Sequence, residues 1–205
     1  MRQKERQRTE WQLRKRAARQ AQFPTVLLGC EGETEVEYFR SFRQANRIGR
    51  IHLVFTPTGS DPSHLLGRVM KAFAANQGNF DAVFCLFDRD EHLYFEAVCE
   101  RIEALAHLSF KQLRVPIEAI TSNPSFELWL LLHFKEVRRA LHRDEAYREL
   151  KACCPQYEKA KPGAFDLTRA NLDVAIDRAE QLEKGKNPST AVGSLVQKLR
   201  ELWKL

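Results

Sequence analysis

Cysteine is scarce in this chain and poorly arranged for cross-linking. The 205 residues hold five Cys, an odd number, with Cys153 and Cys154 adjacent and no C-x-x-C pair. That excludes a disulfide framework and a conventional zinc site. Long apolar runs are also missing: none approaches the ~20 residues a membrane helix requires. The first residues are Arg-rich rather than apolar, so nothing reads as a signal peptide. A reduced, cytoplasmic protein with no membrane partner is expected. Internal repeats are absent too.

Charge of one sign is present but confined. Residues 1–20 carry eight Lys and Arg against Glu5 and Glu10, whereas the rest of the chain balances to zero. The basic character therefore belongs to an arm, residues 1–22, which lacks Gly and Pro and reads as a frayed helix or a disordered extension. Such an arm, with Arg14, Lys15 and Arg16 at its centre, can neutralise nucleic-acid phosphates. It can equally be a solvated extension that aids solubility.

Beyond Phe23-Pro24 the pattern is strand and helix in alternation. Apolar runs at 26–30, 51–55, 82–87 and 112–120 read as strands. A helix is expected to start within Glu31–Glu35 and continue through Val36, Phe39, Phe42 and Arg43, with others at about 62–76 and 92–108. Alternation of this kind implies an α/β fold, a mostly parallel four-stranded sheet with crossover helices over residues 23–122. From 123 to 205 the signals are helical, at roughly 124–134, 142–151, 168–183 and 188–203, and describe a C-terminal region packed on the core.

Acidic residues stand where strands end. Glu31 follows the first strand, with Gly32 next to it allowing a turn and a close phosphate approach. Asp88 and Asp90 follow the third strand, and residues two apart on extended chain share a side, so Arg89 faces away. Ligands of open parallel sheets gather outside the carboxyl ends of the strands. Carboxylates crowded there suit a hard divalent cation, Mg²⁺ or Mn²⁺, and phosphoryl transfer. Glu33, Glu35 and Glu37 read instead as ordinary acids at a helix N-terminus.

A second constellation follows the fourth strand, in Ser122 to Phe134. Asn123 is placed to cap and Pro124 to open a helix that carries Glu127 in its first turn. Glu127 is either a fourth metal carboxylate or a capping-box residue reaching back to the Asn123 backbone. His133 reads as a satisfied interfacial histidine. Lys186-Asn187-Pro188-Ser189 repeats the Asn-Pro-Ser arrangement as the start of the last helix, where Lys186 and Ser189 could hold a phosphate. Lys159 and Lys161 fall on a loop and could touch nucleic-acid backbone. Trp11, Trp129 and Trp203 read as packing residues.

Glu31-Gly32 after a first strand, with Asp88-x-Asp90 after a third, resembles a Toprim domain, the Mg²⁺-dependent fold of topoisomerases, primases and OLD-type nucleases. The segments LLGCEGETEVEYFRSF, VFCLFDRDEH, SNPSFELWLLLHF and KNPSTAV are together similar to the RloB-like family of prokaryotic defence loci, over about residues 25–200. The resemblance implies a Toprim-like fold with Glu31 as general acid/base and metal ligand, and Asp88 and Asp90 as metal ligands. It implies a nuclease acting on DNA or tRNA in antiphage defence, beside an AAA- or ABC-type ATPase. The rival expectation is a regulatory module that binds metal and nucleotide without cutting. A third is nucleotidyl transfer, against which stands the want of a primer-handling zinc motif.

Overall fold

The computed structural model describes residues 24–56, 62–89, 94–112 and 115–205. The arm, including Arg14, Lys15, Arg16 and Trp11, lies outside them, as do Asp61 and Asp90.

Strand β1 (Val26–Cys30) is buried at every position and sits inside the sheet. Its register is parallel with β2 (Ile51–Phe55) on one side and with β3 (Ala82–Asp88) on the other. Strand β4 (Ile117–Asn123) adds to β3 in parallel. The crossovers are α1 (Glu33–Ala45), α2 (Pro62–Ala75) and α3 (Phe95–Gln112). Helices α4 (Phe126–Leu132), α5 (Arg143–Cys153), α6 (Ala164–Thr168), α7 (Leu172–Glu180) and α8 (Val192–Trp203) form the C-terminal region.

The expected four strands are five. β5 (Ser189–Thr190) pairs antiparallel with the end of β4, giving the order β2-β1-β3-β4-β5. Two residues are too few to show alternation, and Asn-Pro-Ser before them resembles a helix start. The last helix accordingly begins at Val192 rather than 188. β4 begins five residues after its expected start, because α3 runs on to Gln112. Asn123 is the last strand residue and Ser125 the N-cap of α4, so Asn123 does not cap and Pro124 does not open the helix. No helix among the described residues is long and apolar enough to cross a membrane.

Two cores result from the two-residue period of the strands. Val26, Leu28 and Cys30 face a core shared with α1 and the C-terminal helices, while Leu27 faces a second one built with α2 and α3. Gly29 lets α2 approach closely: a Cβ there would stand 2.3 Å from Val69 Cγ2. The chain leaves β1 toward β2 and then returns past β1 to β3. This reversal makes a switch point at the carboxyl ends of β1 and β3, where open α/β sheets form a crevice.

Candidate functional site

Glu31 and Asp88 meet at this switch point. The Glu31 amide continues the β1–β3 ladder, donating to the Leu86 carbonyl at 3.0 Å. The Thr56 hydroxyl donates to the Glu31 carbonyl at 3.2 Å. With its backbone fixed on both sides, Glu31 directs its carboxylate across to β3, where the Asp88 amide donates to it at 3.0 Å. Asp88 lies opposite Ser122 of β4. Its Oδ1 is enclosed and has no hydrogen-bond partner among the described residues. Polar atoms in that state are costly.

Two further carboxylates surround Asp88. Glu127, on the first turn of α4, is 3% exposed although it carries a carboxylate. The Ser125 hydroxyl donates to its Oε2 at 2.8 Å, and the Tyr157 hydroxyl lies 3.4 Å from Oε1. The Lys159 ammonium sits 3.0 Å from the same Oε1. Of the two expectations for Glu127, the capping box fails: its partners are Ser125, Tyr157 and Lys159, not the Asn123 backbone. Glu35 is the fourth acid and is buried in the first turn of α1.

Gly32 gives way to Glu35 sterically. Its backbone is extended, with φ −124° and ψ 165°. A Cβ there would lie 2.6 Å from Glu35 Oε2. Its part in the site is thus to leave room for a carboxylate, and no left-handed turn is involved.

Electrostatics tie the four acids together. Burial, then the charges of Glu35, Glu127 and Glu31, push Asp88 well above the carboxylate range, and a hydrogen bond from the Phe126 amide opposes them. Glu35 is raised to about 7, mainly by burial, with Glu127 and Glu31 adding to it. For Lys159, burial alone would lower the pKa. The neighbouring Glu127 charge and hydrogen bond, with Asp88, outweigh it and raise the ammonium above its usual value. The cluster is therefore over-supplied with negative charge, and Lys159, half-exposed at its rim, offsets part of it.

The donor set, all oxygen, fits a hard divalent cation, and the orphaned Asp88 Oδ1 is the atom such an ion would satisfy. Among the described residues, no three His, Cys, Asp or Glu side chains stand together as a ready-made cage.

The other expected residues are dispersed. Arg89 is drawn off to the Gly185 carbonyl at 2.7 Å and to Glu96 at 2.9 Å. Lys161 is exposed two residues past Lys159, and it is Lys159 that reaches the cluster. Lys186 is exposed and paired with Glu183 at 2.8 Å. Ser189 is buried in β5, so the phosphate-holding helix end expected at Lys186 and Ser189 does not form. His133 is buried, its Nδ1 2.9 Å from the Trp129 carbonyl, and burial lowers its pKa to about 4; its Nε2 has no hydrogen-bond partner among the described residues, so it is not the fully satisfied histidine expected. Trp129 is fully buried, as a packing residue should be.

Sequence reasoning missed Glu35, yet a signal was there. Glu35, Tyr38, Phe39 and Phe42 occupy the i, i+3, i+4, i+7 spacing, so Glu35 extends the buried face of α1. Glu33 and Glu37 fall off that stripe. Tyr157 lies in an irregular segment and offered no periodic cue, and Lys159, expected on a loop, gave no sign of its pairing with Glu127.

The family model for RloB-like protein matches residues 26–199, a span that takes in all four carboxylates and Lys159. No curated protein matches the chain.

Proposed function

The chain belongs to the RloB-like family, and on that premise we propose that it is a Mg²⁺-dependent, Toprim-type nuclease hydrolysing phosphodiester bonds in antiphage defence. The observation that carries this reading is the enclosed, unpartnered Oδ1 of Asp88 amid Glu31, Glu35 and Glu127 at the switch point. Glu31, Asp88 and Asp90 would hold the cation, with Glu127 beside them. When bound, it would supply Lewis-acid charge that offsets the carboxylates and the phosphodiester.

The chain's own groups have separate tasks. The Asp88 amide orients the Glu31 carboxylate, which is the candidate to accept a proton from the attacking water. Ser125, Tyr157 and Lys159 fix Glu127. Lys159 also keeps a positive charge at the rim, half-exposed and within reach of an incoming phosphate. DNA or tRNA is the proposed substrate, a neighbouring AAA- or ABC-type ATPase the proposed partner, and the cytoplasm the proposed setting.

The purified protein should be incubated with DNA and with tRNA, with Mg²⁺, Mn²⁺ or EDTA, and with its ATPase partner present or absent. Cleavage is expected with Mg²⁺ or Mn²⁺, none with EDTA, and a loss on the order of 100-fold or more in Glu31→Ala and Asp88→Ala. Equal cleavage by wild type and variants would sink the assignment. Metal-dependent nucleotide binding without cleavage would support the regulatory module instead.

A further inference from the structure

The segment that builds the β2 side of the sheet is rich in positive charge. Between Glu37 and Asp81 the chain holds Arg40, Arg43, Arg47, Arg50, Arg68 and Lys71 against one acid, Asp61. These residues belong to the segment that builds α1, β2 and α2. Among the described residues β2 is an edge strand of the sheet, with α1 packed on one of its faces and α2 on the other.

No described strand pairs with the outer side of β2. Even-numbered β2 positions turn their backbone toward β1: Val26 donates to the Arg50 carbonyl at 2.9 Å and Thr56 donates to the Cys30 carbonyl at 3.3 Å. The odd-numbered positions therefore face outward. Arg43 Nη1 takes the outward Ile51 carbonyl at 2.9 Å and is thereby anchored on this edge. A cleft of about 290 Å³ wraps the strand, walled by Arg43, His52, Leu53 and Asn76 among others, with no carboxylate in its lining.

The helices add to it. His64, Arg68 and Lys71 recur at helical spacing on the exposed face of α2, opposite buried Leu65, Val69 and Phe73. Among the described residues, Arg47, Arg68 and Lys71 have no ion-pair partner, whereas Arg40 is paired with Glu37. A second copy of this chain added edge to edge would bring two cationic faces together, which like-charge repulsion opposes. A polyanion is what the surface complements.

We propose that the β2 edge, with Arg43, Arg47, Arg68 and Lys71, docks the phosphate backbone of nucleic acid at a place separate from the acidic cluster. The ligand class rests on the nuclease reading above. The cleft runs along β2 from Ile51 to Val54, whereas the cluster lies beyond the carboxyl ends of β1 and β3; Leu27 in the cleft and Glu31 in the cluster are four residues, roughly 13 Å, apart along β1. One polymer reaching both would be held at the edge while a phosphodiester is presented to Asp88. This divides affinity from chemistry: positive charge along the β2 edge, carboxylates at the switch point.

The test is binding without cleavage. A DNA duplex of about 30 base pairs and a folded RNA of similar mass are titrated by fluorescence anisotropy in EDTA, between about 50 and 200 mM salt. The variant Arg47→Asn/Arg68→Glu/Lys71→Glu should bind about 10-fold or more weakly at the lowest salt, with a salt slope shallower by about 2 to 3. The milder Arg68→Gln/Lys71→Gln pair should shift the same way by less and guards against misfolding of the first. Arg148→Glu/Lys184→Glu, on exposed cations of the C-terminal region, should bind like wild type.

Loss with DNA alone or RNA alone supports the proposal and identifies the polymer. Unchanged affinity and slope for both polymers overturn it, as does an equal loss in the control. Edge-dependent binding by a protein that cleaves nothing would remove the nuclease reading and leave this one. Cleavage with edge variants that bind normally would do the reverse.

Discussion

The tripeptide Asn-Pro-Ser occurs twice, and its two copies end up side by side doing different work. Asn123-Pro124-Ser125 closes β4, while Asn187-Pro188-Ser189 opens β5, with Asn123 and Ser189 opposite each other in the ladder. Both Asn-Pro peptides are cis. In the first copy the serine matters: Ser125 caps α4 and donates to buried Glu127. In the second the asparagine matters: Asn187 accepts from the Leu141 amide at 2.9 Å and donates to its carbonyl at 2.7 Å. The residues after each copy decide its role. Phe126-Glu127 brings a carboxylate back to Asp88, whereas Thr190 joins Ser122 at 2.9 Å and its hydroxyl receives the Val192 amide at the start of α8.

The comparison breaks most severely if the first turn proves dispensable. Glu127→Ala should lower nuclease activity on the order of 100-fold, read from initial cleavage rates, because α4 then brings no carboxylate to the cluster. Activity near that of wild type would reduce the first turn to the purely structural status of the second.

Only the first turn adjoins crowded acids, and pH should expose this. Glu35 is raised to about 7 from 4.5, so in the folded protein its neutral form is favoured. The folded state then binds more protons than the unfolded one between about 4.5 and 7, and stability falls across that window as pH rises. Without divalent cation, Glu35→Gln should therefore stabilise the protein above pH ~7, by on the order of 3 kcal/mol, and do little below pH ~4.5. Thermal melts at both ends of the range check the sign. A benefit that persists undiminished in saturating Mg²⁺ would show that the ion does not relieve this charge.

A smaller loss is expected at the serine. Ser125→Ala takes a donor from a buried carboxylate and should cost about 10-fold in cleavage rate, with Glu127 itself still in place. The corresponding change in the second turn should spare activity altogether. Asn187→Ala removes two bonds to the Leu141 backbone and should destabilise by about 1–2 kcal/mol, a drop of a few degrees in melting temperature. If Asn187→Ala slowed cleavage as much as Ser125→Ala, the division between the two turns would collapse.

Much of the fold was legible because burial on both faces makes a strand uniformly apolar. VLLGC and AVFCLF gave β1 and β3 directly, and the acids after them gave Glu31 and Asp88. β5 was not legible, since two residues paired through Ser and Thr carry no period. Glu35 was legible only by helical phase, because composition made it one of four glutamates in a row of seven residues. Lys159 was legible as a loop cation, but its pairing was not: it reaches Glu127 from 32 residues away in sequence, on a turn held in part by the Lys151 ammonium on the Pro155 and Tyr157 carbonyls. AVFCLFDRDEH shows both sides of this. Its apolar half forms the strand, Asp88 enters the cluster, and Arg89 leaves it for Gly185. Asp90 falls outside the described residues.

The most direct measurement is calorimetric titration of Mg²⁺ into wild type and Asp88→Asn at about pH 6 and pH 8. Glu35 and Asp88 are both raised, so protons must leave as the cation enters. Binding is expected to tighten with pH, to release protons and to disappear in Asp88→Asn. Binding that is indifferent to pH and survives the substitution would contradict a metal site built on Asp88.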